Sequence, residues 1–187
     1  TATPVSSRTE KVKPKKPQKP EKLEKPQKNY VEVEERRRDF PTVEIRPELL
    51  YTDQHVWIDV IDGMGRVGVT DFMAQVMFLI FDLELPEEGQ WVTAGGVVCT
   101  LWFLTESMEE EFDSPVFSPV SGVISQVNEK LKDRFLHGAE LELLQDDPYG
   151  DGWLFTIQLS ESAGAELERL WDARTYQQFI YDLLKSS

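Results

Sequence analysis

SPVSGVISQVNEKL, residues 118–131, decides the fold. It reads as strand, tight turn and strand, with Val120, Val123, Ile124 and Val127 as its apolar members. The chain on either side has the same texture. HVWIDVI, residues 55–61, alternates as a half-buried strand does, Asp62-Gly63 supplies a hairpin turn, and RVGVT returns as the partner strand. TDFMAQVMFLIF follows, with Thr70 or Asp71 placed to cap a short helix. Pro86 with Gly89, and Ala94-Gly95-Gly96, mark turns between further β-rich runs, and WLFTIQL is a last strand. The period then changes. Apolar residues at 167, 170 and 171, then 176, 179, 180, 183 and 184, have the spacing of one or two amphipathic helices. Many short strands with Gly/Pro turns predict a mainly β domain, a small sandwich or barrel with helices at its margin.

The chain has 187 residues and a net charge of −14, and that sum conceals two opposed segments. Residues 1–28 hold nine basic and three acidic residues, and the remainder eleven basic and 31 acidic. The first segment is Lys/Pro/Glu low complexity with too few apolar groups to offset its ordering entropy, which predicts an extended, disordered tail over residues 1–40 ahead of a domain at 41–187. Such a tail is either a solvated linker or a basic arm for an acidic surface; without interleaved aromatics it does not predict specific nucleic-acid readout. No apolar run approaches the ~20 residues that span a bilayer; the longest is VMFLIF, residues 76–81. Cys99 is the single cysteine, so no intrachain disulfide forms, and its VVCTL context marks an inert core thiol. With only His55 and His137 beside it, a structural zinc site of the usual kind is not expected.

Other chemical motifs do not hold up. GMGRVG, residues 63–68, matches the dinucleotide fingerprint, but Arg66–Val69 continue as strand where the fingerprint needs a helix N-terminus, so it is read as a hairpin turn. Ser162 and Gly164 lie in a helix leader with no nearby histidine, and His55 is read as a half-buried strand residue rather than a base. Glu109–Glu111 with Asp113 lack the spacing and bend-forming glycine of a calcium loop and read as a solvated acidic loop. No enzyme site and no bound cofactor or metal are expected.

Taken in order, YTDQHVWIDV, VGVTDFMAQ, LELPEEGQWVTAGG, SPVSGVISQVNEKL and DDPYGDGWLFTIQLS resemble the H protein of the glycine cleavage system, and WDARTYQQFI resembles that family's C-terminal helix. The resemblance covers roughly residues 50–182. It implies a lipoyl-domain-like β-sandwich (the barrel-sandwich hybrid, two small sheets related by a quasi-two-fold axis) with helices added. It also implies a lysine at a hairpin tip whose amide-linked lipoyl arm carries an aminomethyl group between subunits. The family's segment runs roughly E-S-V-K-A ahead of S-P-V-S-G; here it is ESMEEEFDSPVFSPVSG. Alignment on Glu106-Ser107-Met108 puts Glu109 at the lysine's position, and alignment back from Ser118-Pro119 puts Glu111 there. Lys130 and Lys132 follow the next hairpin and Lys185 is in the tail, so none is equivalent.

A second departure accompanies the first. Where the family has a small polar segment, this chain has VMFLIFDLELP, with Met77, Phe78, Leu79 and Phe81, and Trp102 and Phe103 precede the hairpin. These residues either enlarge the core or form an apolar patch for a permanent partner; four bulky residues in a row at Leu101–Leu104 favour the patch, with Met77, Phe78, Phe81, Trp102 and Phe103 as its candidates. The expected role is a non-catalytic, H-like scaffold that docks in a larger assembly. The alternatives are a regulator occupying an H-protein docking site among the glycine cleavage subunits and, last, an active lipoyl carrier. The resemblance and the leader together suggest the mitochondrial matrix or plastid stroma, with a bacterial-type cytoplasm as the alternative.

Overall fold

Asp62 and Gly63 both have positive φ, 51° and 77°, the backbone a two-residue hairpin needs to match strand twist. They join β2 (Val56–Ile61) to β3 (Met64–Val69) in an antiparallel pair that runs from Val56 opposite Val69 to Ile61 opposite Met64. GMGRVG is therefore turn and strand, as its sequence predicts. The computed structural model describes residues 42–132 and 141–186; the Lys/Pro-rich tail and His137 lie outside them. The two sheets are antiparallel and unequal. One has six strands, in the order β1 (Leu50–Tyr51), β2, β3, β9 (Phe155–Leu159), β8 (Gly122–Val127) and β5 (Trp91–Val92). The other has three: β4 (Leu79–Glu84), β6 (Val97–Leu104) and β7 (Glu111–Phe117). Their facing sides meet in one core that includes Ile58, Val67, Leu101, Ile124 and Ile157, an apolar sandwich of the expected class.

Thr70 caps α1 (Asp71–Val76), its side chain accepting from the Met73 N–H. Asp71 serves elsewhere: its carboxylate accepts from Glu44 N at 2.6 Å and from Gln75 Nε2 at 2.9 Å. The far end of α1 is closed by Gln145 of α2 (Leu143–Asp146), whose Nε2 donates to the carbonyls of Ala74, Met77 and Phe78. Those carbonyls would otherwise be orphaned at the helix end. The amide thus lets VMFLIF divide into a helix end, a buried Met77 and the start of β4.

The opening stretch differs from its reading. Ser118–Ser121 form a link between sheets rather than a strand. Ser118 exchanges backbone hydrogen bonds with Gly95 and Gly96, and its Oγ donates to Val120 O. Ser121 donates from N and Oγ to the Glu166 carboxylate, at 2.6 and 2.7 Å, which ties the link to α3 (Ala163–Leu167). Only GVISQV is strand, and Asn128 then caps a 3-10 turn at Glu129–Leu131. A Cβ on Gly122 would run into the Gln158 carbonyl, so the sheet needs glycine there.

A second cluster, aromatic and hydroxyl-rich, fixes α4 (Ala173–Ser186) to the large sheet. Tyr51 and Tyr176 stack at 4.6 Å between ring centroids. Trp57, fully buried, donates from Nε1 to Val69 O at 2.8 Å and to Pro148 O at 3.1 Å. Tyr149 donates to Glu44 O at 2.7 Å and Tyr51 to Arg46 O at 2.8 Å, so each buried phenol has an acceptor. Burial raises the pKa of all three phenols above the ordinary range. DDPYGDGW holds by similar means: Asn128 Nδ2 donates to Asp151 O and Trp153 O at 2.8 and 2.7 Å.

His55 packs against this cluster. It sits at φ 60° just before β2, with its ring 4.8 Å from Phe72 and Nδ1 2.9 Å from the Tyr176 hydroxyl, which in turn lies 2.8 Å from Thr70 Oγ1. Burial lowers its pKa from 6.5, against a smaller opposing pull from Asp53. Cys99 is buried as expected, and burial, reinforced by the Glu84 charge, raises its thiol pKa.

The packing sets two expectations. A Cβ at Gly68 would lie 2.7 Å from the Trp57 ring, which two hydrogen bonds hold in place, whereas one at Gly164 in α3 meets nothing within 4 Å. Denaturant unfolding of G68A should show a loss of about 1–3 kcal/mol. G164A should instead be neutral or gain up to about 1 kcal/mol. For His55, the unfolded chain takes up the proton first as pH falls, so stability declines on acidification below about pH 6.5 until the lowered folded-state pKa is passed. Unfolding measured at about pH 7.5 and 5.5 should show a smaller pH difference in His55→Asn, which keeps tolerance of positive φ and removes the titration.

Candidate functional site

β6 is the middle strand of the small sheet, and its two-residue period sorts the apolar run at 101–104 between two faces. Leu101 and Phe103 point inward, 0 % and 7 % exposed, while Trp102 and Leu104 point out and are half-buried. Phe103 stacks on Phe112 of β7 at 5.9 Å. On β4 the register shifts between Ile80 and Asp82, an irregularity that leaves Phe81 without a direct partner. Ile80 and Leu83 remain inside, and Leu79 and Phe81 are exposed, 40 % and 41 %.

Of the five apolar residues expected at an interface, two are therefore core. Met77 is wholly buried at the end of α1, and Phe103 lies inside the sandwich, so neither can line a surface patch. Phe78, at 50 % exposed, stands at the chain's entry to β4. Phe81 and Trp102 lie on the small sheet's outer side, joined by Leu79 and Leu104 of the same two apolar runs.

Carboxylates flank this apolar strip. Register places Trp102 between Asp82 of β4 and Asp113 of β7, Leu104 between Leu79 and Glu111, and Thr100 between Glu84 and Pro115. Proline and two acids on β7 also blunt an edge strand against pairing with another sheet. The β6–β7 connection turns through a Met108 N–H to Thr105 O hydrogen bond of 2.9 Å, with Met108 at φ 55°. Glu106, Glu109, Glu110 and Glu111 around that turn are all exposed. Glu109 lies in the turn and Glu111 opens β7 opposite Leu104. From Val67 to Glu129 the chain has no lysine, arginine or histidine, so β4, β6, β7 and their connection carry carboxylates and no basic side chain. The strip can make apolar contact at its centre and accept hydrogen bonds and positive charge at its rim.

Among the described residues no cluster of three or more His, Cys, Asp or Glu could hold a metal, and no helix is long and apolar enough to cross a membrane. Lys130 pairs with Asp151 at 2.9 Å and Lys132 with Glu129 at 2.6 Å, both beyond β8 in the chain.

This arrangement can be placed among known proteins. The family model described as glycine cleavage H-protein matches residues 49–183. The glycine cleavage system H protein of Marinobacter nauticus is 37 % identical over 138 residues, covering 73 % of this chain and 95 % of that protein. That of Alcanivorax borkumensis is 41 % identical over 137 residues, 72 % and 94 % of the two chains. An archaeal relative, the probable H protein of Aeropyrum pernix, is 37 % identical over 136 residues, 73 % and 85 %. Among solved structures, the glycine cleavage system H protein of Mycobacterium marinum superposes with a TM-score of 0.57 at 28 % identity, over 71 % of this chain and 95 % of that one. With five motifs in order, the sandwich they build and these matches agreeing, the chain belongs to the glycine cleavage H-protein family.

Proposed function

We propose that this chain is a non-catalytic, H-protein-like docking subunit that carries no lipoyl group at the family's hairpin. The observation behind it is the side chain at the β6–β7 turn: either alignment puts a carboxylate there, Glu109 or Glu111. The lipoyl linkage is an amide between lipoic acid and an ε-amine; a glutamate cannot form it and lacks the stem that gives the arm its reach. What the region offers instead is contact. Phe78, Phe81 and Trp102 supply exposed or half-exposed apolar area, and Asp82, Glu84, Glu111 and Asp113 rim it. An apolar centre with an acidic rim suits a basic partner surface inside a larger assembly.

A second reading keeps the chain in one-carbon metabolism as a regulator that occupies an H-protein docking site on a glycine cleavage subunit. It is supported by the length of the family match, residues 49–183. Charge weighs against it, because Glu106 and Glu109–Glu111 would have to enter a partner's cavity, and burying unpaired carboxylates is costly. As for compartment, the reading is the mitochondrial matrix or plastid stroma, and the bacterial and archaeal relatives support a bacterial-type cytoplasm as the alternative.

Gentle purification from the native source, with identification of stoichiometric companions, tests the proposal. Expected is a large assembly whose recovery drops for F81S and W102S while unfolding stability stays within about 1 kcal/mol of the parent. Stoichiometric recovery of glycine decarboxylase or aminomethyltransferase subunits would favour the regulator. A monomer with no companion would contradict both.

A further inference from the structure

The two sheets turn their outer faces to opposite sides of the sandwich, and the face of the large sheet differs in charge from the rest of the domain. Register sets one cross-strand row on it: Ile61 of β2, Met64 of β3, Gln158 of β9, Val123 of β8 and Trp91 of β5. Alternation puts this row outside, because Ile58, Val67, Ile157 and Ile124, each an odd number of residues away, fill the core. Ile61, 64 % exposed, and Trp91, 56 %, are the most exposed large apolar side chains among the described residues. Met64 and Val123 are half-buried and Gln158 is exposed, so the row lies open. The next row along the same strands is Asp59, Arg66, Thr156 and Gln126, and its two charged groups pair at 3.9 Å. These two rows carry no net charge, although from residue 29 onward the chain has eleven basic and 31 acidic residues. Copies of so acidic a domain repel where carboxylates meet. Across these rows the one acid of each copy already has its Arg66.

The exposed row is also self-complementary. Gln158 stands at its midpoint, with two apolar residues on either side. A two-fold axis parallel to the strands and passing over Gln158 lays Trp91 on Ile61 of the second copy and Val123 on its Met64, as a closed symmetric contact requires. The same axis brings the two Gln158 amides together, and each amide has both a donor and an acceptor for the other. Aligned sheets pack about 10 Å apart, a gap that these side chains fill from both sides. Five strands about 4.8 Å apart, two rows deep, give roughly 500 Å² per copy. A total of about 1,000 Å² is the low end for a specific contact, so the pairing is reversible.

We propose that two copies of this chain pair through the outer face of the large sheet, with the symmetry axis at Gln158. The two small sheets then face away from each other, so the dimer offers two apolar strips with acidic rims. That bivalent presentation rests on taking the strip as the partner surface, as above; the pairing itself does not.

Sedimentation equilibrium of the full chain, from about 1 μM to about 1 mM, tests it. A monomer–dimer equilibrium is expected. It should tighten between about 0.05 M and 0.5 M salt, as screening removes the repulsion between acidic domains. Contact of the acidic strip with a basic partner would weaken over the same range. Q158E and Q158K should each weaken pairing by about tenfold or more, because each sets like charges together at the axis. An equimolar mixture of the two variants should regain the dimer. Gln158 is exposed, so both variants should keep the parent's denaturation midpoint. F81S and W102S, on the other sheet, should dimerise as the parent does. A chain that stays monomeric at the highest concentration, pairing that Q158E leaves unchanged, or a mixture no better than either variant alone overturns the proposal. Loss of the dimer in F81S or W102S would move the contact to the small sheet and overturn it as well. Failure to recover a larger assembly would bear on the docking-subunit reading and leave this result untouched.

Discussion

The pleat of β6 is the constraint on which the arrangement depends. This strand is hydrogen-bonded on both sides, to β4 and β7, so its register cannot slip without moving every side chain to the opposite face. Leu101 and Phe103 are thereby committed to the core, where each contributes about 1.5–3 kcal/mol by burial. Trp102 and Leu104 are left outside by the same alternation. Core and outer strip are thus two consequences of one register, and β6 and β7 hold the Glu106–Glu111 segment at the end of the small sheet.

Polar side chains from distant parts of the sequence make that register compatible with the rest of the fold. Gln145 closes α1 so that the chain can enter β4, and Glu166 receives Ser121 so that it can pass from β7 to β8. Tyr51, Tyr149, Trp57 and His55 join the start of the domain to its last helix through stacked rings with satisfied hydroxyl and N–H groups. Removing one partner in such a network leaves a buried polar group unsatisfied, which costs more than the hydrogen bond itself contributes.

Much of this was legible locally. Asp62-Gly63 announced its hairpin, Thr70 its helix, and HVWIDVI and WLFTIQL their strands, because each signal is carried by neighbouring residues. SPVSG was misread as a strand because its conformation is set from 45 residues away, by Glu166. Five bulky residues were named as possible surface, and Met77 and Phe103 proved to be core. A run of large apolar side chains does not disclose which parity faces inward, and the β4 irregularity at Ile80/Asp82 leaves no trace in the sequence. Leu79 and Leu104, in the same two runs but outside the five candidates, also lie on the outer side, and strand alternation counted from the buried Leu101 places Leu104 there. The acidic β6–β7 turn needed no structure to be seen; what the structure added is the acidic rows beside it on β4 and β7.

A hairpin held on a rigid sheet can present either a reactive arm or a recognition surface, and the terminal side chain decides which. An amine can form the amide to lipoic acid, whereas a carboxylate cannot and offers charge complementarity to a basic surface instead. Intact-mass measurement of the full chain, expressed together with an active lipoylation system and a carrier protein as positive control, bears most directly on that distinction. The account predicts the unmodified sequence mass in this chain while the control is fully modified. A lipoyl amide on any lysine of this chain would contradict it.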